Sequence, residues 1–173
     1  MPEVQVLIAS DPHRAAVGNL FQLYVHDFSE QWAGRPEGEL QDDGRFGLDD
    51  SLADYWTRPG RLPLIVTVDG RLAGFALLDD EAHSGLAADR NMAEFFIVRK
   101  HRRLGVGTTV AHAIFAAHPG QWEVAVARRN LGAVSFWRRA IGAFAEASGI
   151  EELDVASPAW DGPIIRFRSS PPD

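Results

Sequence analysis

The residues from Phe95 to Thr109 constrain the fold more than any other stretch of this chain. An apolar, β-type run, Phe95-Phe96-Ile97-Val98, gives way to the nearly continuous basic series Arg99-Lys100-His101-Arg102-Arg103. Gly105-Val106-Gly107 then opens an apolar helix. Strand, turn and helix in that order leave the first N–H groups of the helix without partners and set them beside fixed positive charge. Such a site is suited to a pyrophosphate.

A chain of 173 residues with 46% apolar side chains can bury one substantial core, so a single domain over 1–173, with its core about 4–169, is expected. No apolar run approaches the roughly 18 residues of a membrane span. Met1-Pro2-Glu3-Val4 lacks the basic and apolar regions of a signal peptide, so no membrane association and a cytoplasmic location are expected. The absence of cysteine excludes disulfides, a thiolate nucleophile and a sulfur-ligated zinc, and no metal is expected. The net charge of -7 argues against nucleic acid as a partner. Against that acidic background the basic run stands out.

Val4 to Ala9 reads as a strand, and Asp11-Pro12 as a cap and first helical position, with Leu20, Phe21, Leu23, Tyr24 and Phe28 at helical spacing over about 12–28. Ser29 to Gly47 reads as a long loop, and Asp49-Asp50-Ser51 as the cap of a second helix carrying Leu52, Tyr55 and Trp56. Asp69-Gly70 between the apolar runs 62–68 and 72–78 is a hairpin signal. Met92–Val98 and Trp122–Ala127 read as strands, 105–117 and the stretch after Asn130 as helices, and the neighbourhood of Phe144 and Ile164–Arg168 as the last strands. The order β-α-α-β-β-β-α-β-α-β-β predicts an α/β (α+β) domain around one sheet.

Other phosphate-binding loops fit poorly. A dinucleotide fingerprint wants a third glycine near position 110, where Val110 stands, and no Gly-Lys-Ser/Thr triplet exists for an ATP-type loop. What remains, Arg102-x-x-Gly105-x-Gly107 after a long apolar strand, resembles the Arg/Gln-x-x-Gly-x-Gly/Ala signature of the GNAT superfamily of acyl-CoA-dependent N-acyltransferases. Asn130-x-x-Ala133-x-x-Phe136-Trp137 resembles the family's Asn-x-x-Ala-x-x-(apolar)-Tyr helix, and the hairpin and N-terminal helix pair match as well. The resemblance implies the GNAT fold: one mixed, mostly antiparallel central sheet flanked by helices.

It also implies acetyl-CoA as acyl donor, with pantetheine running between the strands at 92–98 and 122–127. Backbone groups of Phe96, Ile97 and Val98 would hold the pantetheine arm, and Val98 in particular the thioester carbonyl. Arg102 and the amides of Arg103, Leu104, Gly105, Val106, Gly107 and Thr108 would bind the pyrophosphate. Asn130, Phe136 and Trp137 would contact the cofactor arm. The chain departs from the pattern in two places: Arg99 stands where many members have Pro, and Trp137 replaces the Tyr that often serves as general acid. Indole N–H cannot transfer a proton at neutral pH.

Magnitudes rank the two proton problems. Expelling a thiolate of pKa about 8.5 at pH 7 costs roughly 2 kcal/mol, whereas freeing an amine of pKa about 10.4 costs roughly 4.6 kcal/mol. Substrate deprotonation therefore needs help most, and Glu94, the one acidic residue of its strand, is the candidate general base. Tyr24, Tyr55, His26 and His83 are further candidates for which a structural role is the simpler reading. The acceptor would be a small-molecule amine or an exposed amino group of a peptide or protein, and the family's varied dimers leave a homodimer open. The competing readings are a non-catalytic acyl-CoA-binding sensor or regulatory module, and a nucleotide-binding protein using the same cradle.

Overall fold

The computed structural model describes residues 2–47 and 51–171. The turn at Asp69-Gly70 sets the register of the first half of the sheet. Both residues have positive φ, 50° and 72°, as a tight two-residue hairpin requires. The turn joins β2 (Leu62–Val68) to β3 (Arg71–Asp79), with β1 (Val4–Ile8) on the outer side of β2 and β4 (Arg90–Ile97) on the far side of β3, all antiparallel. With β5 (Gly120–Ala125), β6 (Ala147–Ala156) and β7 (Asp161–Ser169), the sheet has seven strands in the order β1-β2-β3-β4-β5-β7-β6. It is mixed and mostly antiparallel, as expected, with β4 and β5 the parallel neighbours.

Those two strands pair at only two positions, Arg90↔Trp122 and Asn91↔Glu123. Just beyond, Leu78↔Met92 is followed by Leu77↔Glu94, so Ala93 is an extra residue in β4. A bulge bends its strand and sharpens the local twist, and this one lies where β4 parts from β5. The sheet is thus split by a wedge in its middle.

Helix α1 (Arg14–Ser29) and the short α2 (Ser51–Asp54) cover one face, where Val17, Leu20, Ile65, Phe75, Leu77 and Phe96 are buried together. Helices α3 (Val106–Ala117) and α4 (Leu131–Gly142) cover the other, over Ala76, Leu78, Met92, Ile97, Trp122 and Phe167. The period-two alternation of β3 and β4 divides their side chains between the two layers. No helix among the described residues is long and apolar enough to cross a membrane.

Several boundaries differ from the sequence expectation. A 3-10 turn over Asp11–His13 precedes α1, and Ser10, not Asp11, stands before it, its N–H donating to Nδ1 of His13 at 3.1 Å. Tyr55 and Trp56 follow α2 in a turn rather than extending the helix; positions 49 and 50 of the expected cap lie outside the described residues. Phe144 is in no strand. It is buried in the turn after α4, its N–H donating to Ile141 O and its ring 5.6 Å from that of Phe115, and β6 starts three residues later. As a largely exposed edge strand, β6 lacks the apolar alternation that would have marked it.

Candidate active site

The turn after β4 builds a bare helix start. Arg103 has φ 62° and Gly105 φ 79°, two left-handed residues that swing the chain from the strand into α3. No Cβ at Gly105 would meet another atom within 4 Å, so its φ, and not crowding, demands glycine. Gly105 is the N-cap, offers no side-chain acceptor, and the first turn carries no acidic residue. The N–H groups of Val106, Gly107 and Thr108 therefore face outward, and Thr109 makes the first backbone bond, to Gly105 O. Gly107 also meets a packing demand. A Cβ there would lie 3.2 Å from the Phe136 ring, so this glycine lets α3 approach α4.

The basic run divides into two groups. Arg99 and Arg102 both reach back to Asp27 on α1, at 2.8 and 2.5 Å. Arg102 also donates through Nε to Ile97 O at 2.6 Å and lies over the Phe96 ring. Burial opposes ionisation of Asp27, but the two guanidiniums outweigh it and hold the carboxyl below its ordinary range. Arg103 makes no ion pair among the described residues.

The split between β4 and β5 determines which main-chain groups of β4 are available. Val98 N–H donates to Ala73 O at 2.8 Å. Residues 94–97 pair with β3 without interruption, and in an antiparallel ladder alternate residues direct their N–H and C=O to the same neighbour. Phe96 and Glu94 thus share the orientation of Val98, while Ile97 and Phe95 turn their N–H groups toward the wedge. Val98, expected to hold the thioester carbonyl, thus has its amide engaged by β3, whereas Phe95, named in the sequence only as part of the apolar run, turns its N–H toward the wedge.

Two cavities meet at the wedge. One of about 630 Å³ is lined from β4 and the turn by Phe96, Ile97, Arg102, Arg103, Gly105 and Thr108, and from α4 by Phe136 and Trp137. Of the other predicted cofactor contacts, Leu104 is exposed and lines neither cavity, and Val106 turns its side chain into the core, leaving only its main chain for the cofactor. Asn130 caps α4, its Oδ1 accepting from Ala133 N at 3.0 Å, and also lines this cavity. Trp137 is buried, edge-on to Phe95 and Phe136, each at 4.9 Å.

The second cavity, of about 1060 Å³, lies between α1, the 36–47 loop, β3, β4 and Trp160. Among the described residues, Glu39, Asp79, Glu81 and Glu94 face it, with Arg61 as the single guanidinium and walls of Phe21, Tyr24, Phe28, Trp32, Phe46 and Tyr55. Gln22 fixes the loop to α1, donating to Phe46 O at 3.1 Å and accepting from Phe46 N at 2.8 Å. Asp79 accepts from Tyr55 Oη at 2.9 Å, Arg61 at 2.6 Å and Asn91 at 2.9 Å, and Arg61 also binds Glu81. Burial first and the Asp79 charge second keep the Tyr55 phenol protonated. The His83 ring packs against Trp160 at 4.5 Å, tilted by 33°. The loop that carries His83 is pinned by Glu123, fully buried on β5, which accepts from His83 N, Ser84 N, Ser84 Oγ and Arg166.

A family model described as the acetyltransferase (GNAT) family matches residues 17–143. The chain belongs to the GNAT family. Solved acetyltransferases share its fold over almost the whole length. One from Thermus thermophilus superposes with a TM-score of 0.65 at 14% identity, covering 96% of this chain and 97% of that one. A GNAT acetyltransferase from Streptococcus agalactiae gives 0.64 at 12% identity, covering 98% and 96%. The aminoglycoside acetyltransferase AAC(6')-Ib, solved in complex with coenzyme A and kanamycin, gives 0.61 at 16% identity, covering 96% and 95%. No curated protein matches the chain. As a GNAT protein, it has the family's sheet, and the wedge between β4 and β5 is where its two cavities join.

Proposed function

We propose that the protein is an acetyl-CoA-dependent N-acetyltransferase of the cytoplasm that moves an acetyl group to a primary amine by direct attack in a ternary complex. The observation that carries this reading is the junction of the cavities. The one holding the bare helix start and the one faced by carboxylates share Tyr24, Phe28, Phe95, Asn130, Ala133 and Trp137. A donor bound by its diphosphate at α3 and an amine drawn in by negative charge would meet there.

The donor's fit rests on the N–H groups of residues 106–108, with Arg103 beside them and Thr108 on the cavity wall. The N–H groups of Ile97 and Phe95, turned toward the wedge, would hold the pantetheine arm and polarise the thioester carbonyl, stabilising the charge that develops on its oxygen. Glu94, on the acceptor side of the junction, would take the amine's proton directly or through water. Four carboxylates to one guanidinium favour a cationic amine, and the aromatic walls suit an acceptor with an apolar body.

Thiol release from acetyl-CoA with kanamycin, spermidine and phenethylamine tests the reading; turnover with at least one supports it. Trp137, buried where the family often carries an acid, favours a second reading, a non-catalytic acyl-CoA-binding module. That reading predicts tight coenzyme A binding and no turnover with any amine.

A further inference from the structure

Among the described residues that line both cavities, Tyr24 alone bears a side-chain proton that can be transferred. Phe28, Phe95 and Ala133 have none, and the Asn130 amide and Trp137 indole are not usable acids. Tyr24 and Glu94 both face the acceptor-side cavity, and the Glu94 charge acts on the Tyr24 phenol. Glu94 lines only the acceptor-side cavity, so the pair runs from that side to the junction. The Tyr24 ring is fixed on α1 by Phe21 at 5.5 Å and by Phe28, Phe75 and Phe96 at 6.0 Å each.

We propose that Tyr24 is the acid that protonates the departing coenzyme A sulfur, and that Glu94 restores its proton. The inference rests on the N-acetyltransferase reading above. Glu94 takes a proton from the ammonium, the neutral amine attacks the thioester carbon and a C–N bond forms; the nitrogen, now positive, gives its second proton to water. The C–S bond breaks with its electron pair going to sulfur, sulfur takes the Tyr24 proton, and the phenolate takes the proton held by Glu94. Amide and thiol result, and both side chains return to their starting state. Burial first, and the Glu94 charge second, hold the Tyr24 phenol well above its ordinary range. Protonation of Glu94 removes the second cause, so the phenol becomes more acidic when sulfur needs the proton.

Tyr24→Phe keeps the ring and removes the hydroxyl. Unassisted expulsion of a thiolate of pKa about 8.5 at pH 7 predicts a loss in kcat of about 30-fold. The Kd for coenzyme A should stay within about twofold, a split that general loosening of α1 would not produce, and the solvent isotope effect on kcat should shrink. A structure with coenzyme A bound should place Tyr24 Oη within hydrogen-bonding distance of the sulfur. An unchanged kcat in an active background, or a hydroxyl turned away from the sulfur, overturns the proposal while leaving the N-acetyltransferase reading intact. A wild-type protein inactive on kanamycin, spermidine and phenethylamine sinks both.

Discussion

Asp27 on α1 accepts from Arg102 at 2.5 Å, and through its other oxygen from Arg99, tying the first helix to the turn that opens α3. Two of the five basic side chains in the run that marks this sequence are therefore occupied within the protein. The anion site relies instead on main-chain N–H groups and on Arg103.

Asp27→Asn should remove a small, pH-dependent increment of stability. The folded carboxyl lies below its unfolded value, so its contribution is complete above about pH 4 and fades as pH falls through the folded pKa. Arg99 is largely exposed and Arg102 partly so, and water screens the interaction, so the loss at pH 7 should stay under about 1 kcal/mol. Thermal melts of both proteins from pH 7 down to pH 3 should show curves that converge at the acid end.

The two glycines of the motif should fail in different ways. Gly105→Ala forces a left-handed conformation on alanine and should cost about 1–2 kcal/mol whatever surrounds it. Gly107→Ala presses on Phe136, which lines the donor-side cavity. Phe136→Leu should relieve the second substitution and not the first, read from urea unfolding as a double-mutant cycle.

Glu94→Gln should lower kcat by about 100-fold or more at pH 7 and leave the coenzyme A Kd within about twofold. The deficit should narrow as pH approaches about 10, where the amine loses its proton unaided. Steady-state rates across pH with the best of the tested amines provide the check.

Arg166→Met leaves the Glu123 carboxylate buried without its cation. A loss of about 3–5 kcal/mol is expected, with much of it recovered in the double variant Glu123→Gln, Arg166→Met. Urea unfolding of the two variants beside the wild type measures this.

Local features were legible in the chain. Asp69-Gly70, Gly105 and the Asn130 cap each solve a backbone problem within a few residues, and the sequence names the solution. Features decided by pairing were not. Whether Val98 or Phe95 offers its amide to the wedge depends on register against Ala73, which no spacing within β4 records. Glu123 and Arg166 lie 43 positions apart and meet only because β5 and β7 are neighbours. Tyr24 read as a member of an apolar helical face and as a further candidate with a structural role the simpler reading; its place beside Glu94 on one cavity wall arises from the placement of α1 over β4. The exposed edge strand β6 gave no periodic signal, and Phe144 drew the strand assignment toward a core residue of a turn.

Calorimetry with coenzyme A and with pantetheine, which lacks the diphosphate, tests the central claim most directly. Heat of binding with coenzyme A, and little or none with pantetheine at the same concentration, is the predicted result. No heat with coenzyme A on folded protein, or equal binding of the two compounds, would contradict a diphosphate held by the bare start of α3.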